Sequence, residues 1–475
     1  MGGRLRRRRS QVVSDVPARA ADTAGARPRV VVVGGGLAGL AAALACADGG
    51  ASVVLIEAQD RLGGAAASVR RDGLIVDTGQ HVFLRCCTAY RDFLDRIGSS
   101  GLTDLQDRMD IPVLWGGSPC AHLRRSALPA PLHLARAVAG YPLLSPRERL
   151  RAAAAAWRLR GLSMADPALD EISFGAWLSA HGQSPRSVET FWDLFCLAAL
   201  NAPSAQASLA LAVTVFHKGL LDSADAADIG VPAVPLSELH AEPASRALRR
   251  AGVDVRLRCR ALAIVAEHGG VQAVITRRGR LEADAVVLAV PNEAAGPLLP
   301  EAALPDREAL GRLGSSAIVN LHLVFDRRVM AVPFAAAADS QVQWIFDRTK
   351  AAGLQRGQYL AVSLSGADAL LQESHASLRG RVLPSLARLL PVVRAATLER
   401  FFVTRVPHAT FRQGPGCARL RPGPRTGVPG LFLAGAWTDT GWPATMEGAV
   451  RSGRSAAGWA LSAVGMQEQS MGVQE

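Results

Sequence analysis

Apolar positions along the chain gather into three long runs: residues 30–47 (VVVVGGGLAGLAAALACA), 283–291 (ADAVVLAVP) and 430–435 (GLFLAG). Near-continuous apolar runs, without the alternation of half-exposed strands, mark strands buried on both faces of a parallel sheet. The first run carries no charge anywhere along its length, which raises the question of a membrane span. Its adjacent glycines 34, 35 and 36 argue otherwise, since each costs about 1 kcal/mol relative to Ala in a helix interior. The run is read as a strand over 29–33, a glycine turn and a helix over 37–47. Further strands are predicted over 52–57, 253–257 and 270–276. From 107 to 243 the pattern turns largely helical, interrupted by Pro112, Pro129, Pro142 and Pro203. Within it, residues 147–162 (RERLRAAAAAWRLRGL) read as an amphipathic surface helix with an Ala face; membrane contact is its alternative reading. After the last run come a loop and a helix over 446–462.

A chain of 475 residues exceeds the size at which one core usually splits, about 250–300 residues. The expected fold class is α/β. A Rossmann-like, dinucleotide-binding domain is assembled from 29–106, 244–300 and 426–465. A second α+β lobe, for substrate, comes from 107–243 and 301–425. Residues 1–28 and 466–475 are expected to be tails.

The spacing Gly34-x-Gly36-x-x-Gly39 suits a strand–turn–helix that holds a pyrophosphate. The first glycine makes the turn, the second admits the phosphate and the third lets helix and strand approach. Gly35, Leu37 and Ala38 complete the cradle, and the helix start offers free N–H groups. Glu57 ends the second strand one helix and one return beyond Gly39, where a carboxylate can accept from ribose hydroxyls.

The residues just after that acid narrow the cofactor. Glu57-Ala58-Gln-Asp-Arg61-Leu-Gly63-Gly64-Ala65 resembles the FAD-dependent amine oxidase/carotenoid desaturase superfamily. There the glycine pair lets the backbone approach the flavin ribityl and pyrophosphate. The stretch from Leu433 through Gly435-Ala436-Trp437-Thr-Asp439, Trp442 and Met446 to Gly453 resembles that superfamily's second flavin segment, with the helix start at Met446 facing the flavin pyrimidine oxygen. The superfamily usually has an acid where this chain has Ala436; either Asp439 or a backbone N–H takes its place, or flavin binding is weaker. More specific are Asp77-Thr-Gly79-Gln80-His81, residues 191–201 ending in Asn201, Gln343-Trp-Ile-Phe-Asp-Arg348 and His408-Ala-Thr-Phe411. Together they resemble the hydroxysqualene dehydroxylase family, in consistent order over roughly residues 29–460.

That resemblance implies an FAD enzyme reducing an allylic C30 alcohol to squalene in squalene and hopanoid biosynthesis. The hydroxyl leaves as water and hydride comes from reduced flavin N5. His81 is the candidate acid, with Gln80 orienting it or the substrate. Trp192, Trp437 and Trp442 are candidate substrate contacts, with core packing as the alternative for Trp192. The implied partners are a C30 isoprenoid, a membrane surface met peripherally from the cytoplasm, and an electron donor the sequence does not identify. Rival readings are a phytoene-type desaturase, a flavin amine oxidase and a non-catalytic prenyl-lipid carrier. An amine oxidase often has Tyr at the position of Thr445, and this chain has only three tyrosines and two lysines.

Composition changes this picture little. The net charge of +12 is carried almost wholly by arginine, and eight arginines against two aspartates fall between Met1 and Arg29. A solvated basic tail accounts for that without a nucleic-acid partner; contact with anionic lipid is its functional alternative. No apolar h-region follows the arginines, so no secretory signal is expected. Seven cysteines include no CxxC and no zinc spacing, so no metal is expected.

Overall fold

The computed structural model describes residues 27–116 and 120–466; most of both expected tails lies outside that range. β1 (Arg29–Val33) leads through the glycine turn into α1 (Leu37–Asp48), which returns to β2 (Ser52–Ile56). β1 and β2 pair in parallel, Val33 opposite Ile56. β3 (Asp254–Arg256), β4 (Ala285–Leu288) and β5 (Leu431–Leu433) complete a parallel sheet in the order β3-β2-β1-β4-β5. Three distant stretches of chain thus build one sheet. β4 and β5 are buried along their whole length, as strands covered on both faces must be.

α2 (Thr88–Ile97), α1 and the final helix α4 (Met446–Ala463) pack together beside this sheet. Small residues set the approach. A Cβ on Gly453 would overlap the Ala38 carbonyl oxygen, so α1 and α4 touch backbone to backbone.

The second lobe holds a seven-stranded mixed sheet, whose longest strands are Ser316–Phe325 and Leu398–Thr410. It also holds a helical region that includes α3 (Pro146–Arg160). The stretch expected to be largely helical contains strands Asp110–Leu114, Ala121–Arg124 and Ile229–Pro232. The first of these pairs in parallel with Phe334–Ala337, Val113 opposite Ala336. That partner lies far along the chain, where no local periodicity reports it. Gly270–Thr276 joins a separate antiparallel three-stranded sheet instead of the main one. Among the described residues no helix is long and apolar enough to cross a membrane.

Candidate functional site

The site forms where the C-terminal ends of β1, β4 and β5 lie side by side, the edge at which open α/β sheets bind ligands. Gly34 leaves β1 with φ 110° and donates its N–H to Ile56 O at 2.8 Å. A side chain there would meet the Ala289 carbonyl oxygen at 2.5 Å. Gly36 caps α1 with extended backbone and no side-chain partner, so the first-turn N–H groups at Leu37, Ala38 and Gly39 face outward unclaimed by any cap. Gly39 is forced to be small: its Cβ would overlap Gly34 O.

A second loop closes on the first. Gly63 N–H donates to Gly35 O at 2.9 Å, and a Cβ on Gly64 (φ 57°) would stand 2.9 Å from Gly36 Cα. Glu57 is held by Gly35 N–H on Oε2 and Gln59 N–H on Oε1, both at 2.7 Å. It remains half-buried, with lone pairs left for further donors. Ala58 follows it, half-buried, while Arg61 and Ala65 are exposed. Arg61 lies 3.8 Å from Asp60.

The C-terminal segment meets this cradle across β4. Gly435 (φ 143°) donates its N–H to Ser452 Oγ at 2.8 Å. Trp437 Nε1–H donates to Val290 O at 2.9 Å, and Val290 lies directly beside Gly34. Ala436 is half-buried and Asp439 is exposed. The Asp439 carboxylate turns back to accept from Gly441 N–H at 3.3 Å. Met446 opens α4, capped by the Thr445 hydroxyl, which accepts from Gly448 N–H at 3.1 Å.

Two further residues hold this geometry, and the first lies outside every motif quoted above. Arg421, buried, donates to the carbonyls of Ala436, Trp437, Thr438 and Trp442 at 2.5–3.4 Å. One guanidinium therefore shapes the whole loop; burial lowers its pKa, and Asp439 opposes that shift. Glu447 is buried against the start of α2, where it accepts from Ala89 N–H at 3.2 Å and Tyr90 N–H at 2.7 Å. Arg421→Met should leave the loop carbonyls without a donor, at about 1–3 kcal/mol for each that stays buried. Weaker flavin retention and a lower denaturation midpoint are expected; parental values for both would dismiss the clamp.

The Asp77–His81 string lies against the second glycine loop. Thr78 Oγ1–H is within 2.9 Å of both Ala65 O and Ala67 O. Asp77, buried, accepts from Arg348 Nη2 at 2.8 Å, from Ser68 Oγ at 2.7 Å and from Leu236 N–H at 3.0 Å. Two of the motifs read from the sequence are thus joined by one buried ion pair. His81 Nδ1 lies 3.0 Å from Gly79 O. A carbonyl only accepts, so Nδ1 carries the hydrogen and the neutral ring presents Nε2 as an acceptor. Burial lowers the His81 pKa below the usual histidine value; Gly79 and Asp77 oppose the shift, and Arg348 adds to it. His240 is pulled down to about 3, by burial first and then by His81. The Gln80 amide nitrogen is buried with no hydrogen-bond partner among the described residues, leaving a donor for a bound molecule.

The tryptophans divide. Trp437 is buried at the loop itself. Trp442 is half-buried with the Arg451 guanidinium 5.2 Å from its ring centroid. Trp192 is 1% exposed, donates Nε1–H to Gln183 Oε1 at 2.9 Å and packs among Phe174, Phe191 and Phe216. Those are the surroundings of a core side chain, and they do not bring Trp192 to the cradle.

These features fit FAD: a cradle that side chains would fill, unclaimed helix N–H groups and a tethered, accessible carboxylate. Comparison with known proteins agrees. The family described as flavin containing amine oxidoreductase matches residues 37–460. A hydroxysqualene dehydroxylase of Sinorhizobium fredii is 31% identical, over 91% of this chain and 98% of its own length. A zeta-carotene desaturase of Synechocystis is 26% identical, over 90% and 96%. The cyclohexylamine oxidase of Brevibacterium oxydans superposes with a TM-score of 0.68 at 18% identity, over 92% of this chain and 99% of that one, a likeness of fold. The chain belongs to the flavin-containing amine oxidoreductase family and is an FAD-dependent oxidoreductase.

Proposed function

We propose that this chain reduces hydroxysqualene to squalene, removing an allylic hydroxyl as water. The observation that carries the reading is the buried Asp77–Arg348 pair. Arg348, just past the strand Trp344–Asp347 of the other lobe, fixes Asp77, three residues before Gln80, while Thr78 between them bonds to the glycine loop; both partners lie in strings that resemble the hydroxysqualene dehydroxylase family. Two curated relatives of that name, at 31% and 30% identity, support it.

Bound, reduced FAD supplies two electrons as hydride. The chain must protonate the departing hydroxyl, exclude water and shield an allylic cation. Of the named residues, His81 is our candidate proton donor through Nε2, and Gln80 Nε2–H our candidate for orienting the hydroxyl. The reaction balances as alcohol plus hydride plus proton giving hydrocarbon plus water; an external two-electron donor then restores the flavin. Gly435, Trp437 and Asp439, with Arg61, Gly63 and Gly64, are proposed to line the ribityl and phosphates. Met446 would stand at the pyrimidine end.

His81→Ala should keep its flavin and lose turnover by about 100-fold or more. The low pKa of His81 sets the sign of the pH effect. Neutral above the ordinary histidine range, the ring gains its donatable proton only as pH falls, so turnover should climb from pH 8 toward 6. The slope should vanish in the variant. Parental rate and slope in His81→Ala would dismiss the role. The decisive assay is anaerobic incubation of reduced protein with hydroxysqualene. Squalene and oxidised flavin are expected; reduced flavin and no squalene would remove the assignment. The zeta-carotene desaturase relative favours a second reading with the electron flow reversed, for which a conjugated polyene would be the product.

A further inference from the structure

We infer that α3 is a docking surface for an anionic lipid bilayer. Its inward face buries Ala152, Ala155 and Leu159. The opposite face of a surface helix is ordinarily polar. Here it carries Leu150, 74% exposed, and Trp157, 64% exposed, with exposed Ala153 and Ala154 between them. Two helical turns apart, Leu150 and Trp157 share one side of the helix about 10 Å from each other along its axis.

Charge identifies the occupant. At about 100° per residue, Arg147 and Arg158 border the strip on one side and Arg160 on the other; all three are exposed. The Arg160 guanidinium sits 5.9 Å from the Trp157 ring centroid. The helix's single acid, Glu148, is engaged, accepting from Ser145 N–H at 2.9 Å and Ser184 Oγ at 2.5 Å. An apolar strip ending in a Trp and bordered only by cations matches a headgroup–acyl boundary. Leu128 and Leu132 are 52% and 55% exposed and lead into the short helix Ala135–Ala139, whose last carbonyl accepts from Arg149 at 2.8 Å. Beneath α3, the Leu159 carbonyl oxygen lies 3.0 Å from His217 Nε2. The strip therefore sits directly over the apolar helical core of the second lobe. This inference deepens the proposed reaction and rests on it for its substrate, since a C30 isoprenoid resides in the bilayer.

The test is flotation of the FAD-loaded full chain with phosphatidylglycerol/phosphatidylcholine vesicles. The parent should float with them, less with phosphatidylcholine alone and less at high salt. Leu150→Glu/Trp157→Glu should cut partitioning by about tenfold or more. Both sites being exposed, its flavin content and its turnover on detergent-solubilised hydroxysqualene should be unchanged. Arg158→Gln/Arg160→Gln should erase the anionic preference. Undiminished flotation of the Leu150/Trp157 double variant overturns the inference. So does flotation lost only on replacing Arg6–Arg9 by Gln, or a dimer broken by the double variant with flotation intact. Failure of the parent on detergent-solubilised substrate sinks the dehydroxylase reading and leaves the docking result standing.

Discussion

Gly36→Ala is expected to give a folded protein that has lost its flavin. Gly36 has φ −76° and ψ 177°, extended backbone open to any residue. A Cβ built there meets nothing nearer than Gly64 Cα at 3.9 Å, so the protein itself tolerates the methyl. The space it fills is the cleft between the two glycine loops, where the pyrophosphate would approach the backbone. FAD affinity should fall by at least tenfold, about 1.4 kcal/mol or more, with the melting temperature of the flavin-free protein close to the parent's. Gly39→Ala is the contrast. Its Cβ would overlap Gly34 O, so it should lose stability with and without flavin. Measured side by side, the pair separates cofactor contact from helix–strand packing. A Gly36→Ala protein with the parent's flavin absorption would remove the cradle from the phosphate site.

Arg348→Met should cost about 3–5 kcal/mol of stability, the usual loss when one partner of a buried ion pair is deleted. The variant strands the Asp77 carboxylate, 5% exposed, and also the Pro232 and Val234 carbonyls that accept from the same guanidinium at 2.8 and 3.1 Å. Arg348→Lys should rescue little, because an ammonium cannot reproduce a fork that serves three acceptors. Asp77→Asn/Arg348→Met should be less damaged than the two single losses summed. Denaturant titration reads all four proteins. A loss under about 1 kcal/mol, typical of a surface pair, would show that the bridge is not buried in solution. Turnover should suffer as well, since the bridge anchors the strand that leads into Gln80 and His81.

What the sequence by itself determined is whatever nearest neighbours along the chain decide. The β-branched run before Gly34 reads as a buried strand, and the spacing of Gly34, Gly36 and Gly39 marks a turn into a helix, with Gly39 kept small by Gly34 O five residues before it. Glu57 was legible because its distance from Gly39 reflects a single helix and return. The apolar runs of β4 and β5 were legible for the same reason. Only the tertiary structure decided where these pieces meet. Asp77 and Arg348 lie 271 residues apart, and neither residue's own surroundings announce the other. Arg421 is one of many arginines; nothing local separates it from those in solvent, yet it gathers four carbonyls of the 436–442 loop. Trp192 and Trp437 look alike in sequence, but folding sends one to the helical core and the other to the cradle. The same holds for α3. Its Ala-rich pattern permits two faces, and which of them stays in water depends on what packs against the other. Periodicity encodes only the existence of a face, whereas burial is a property of the neighbours that the rest of the chain brings to it.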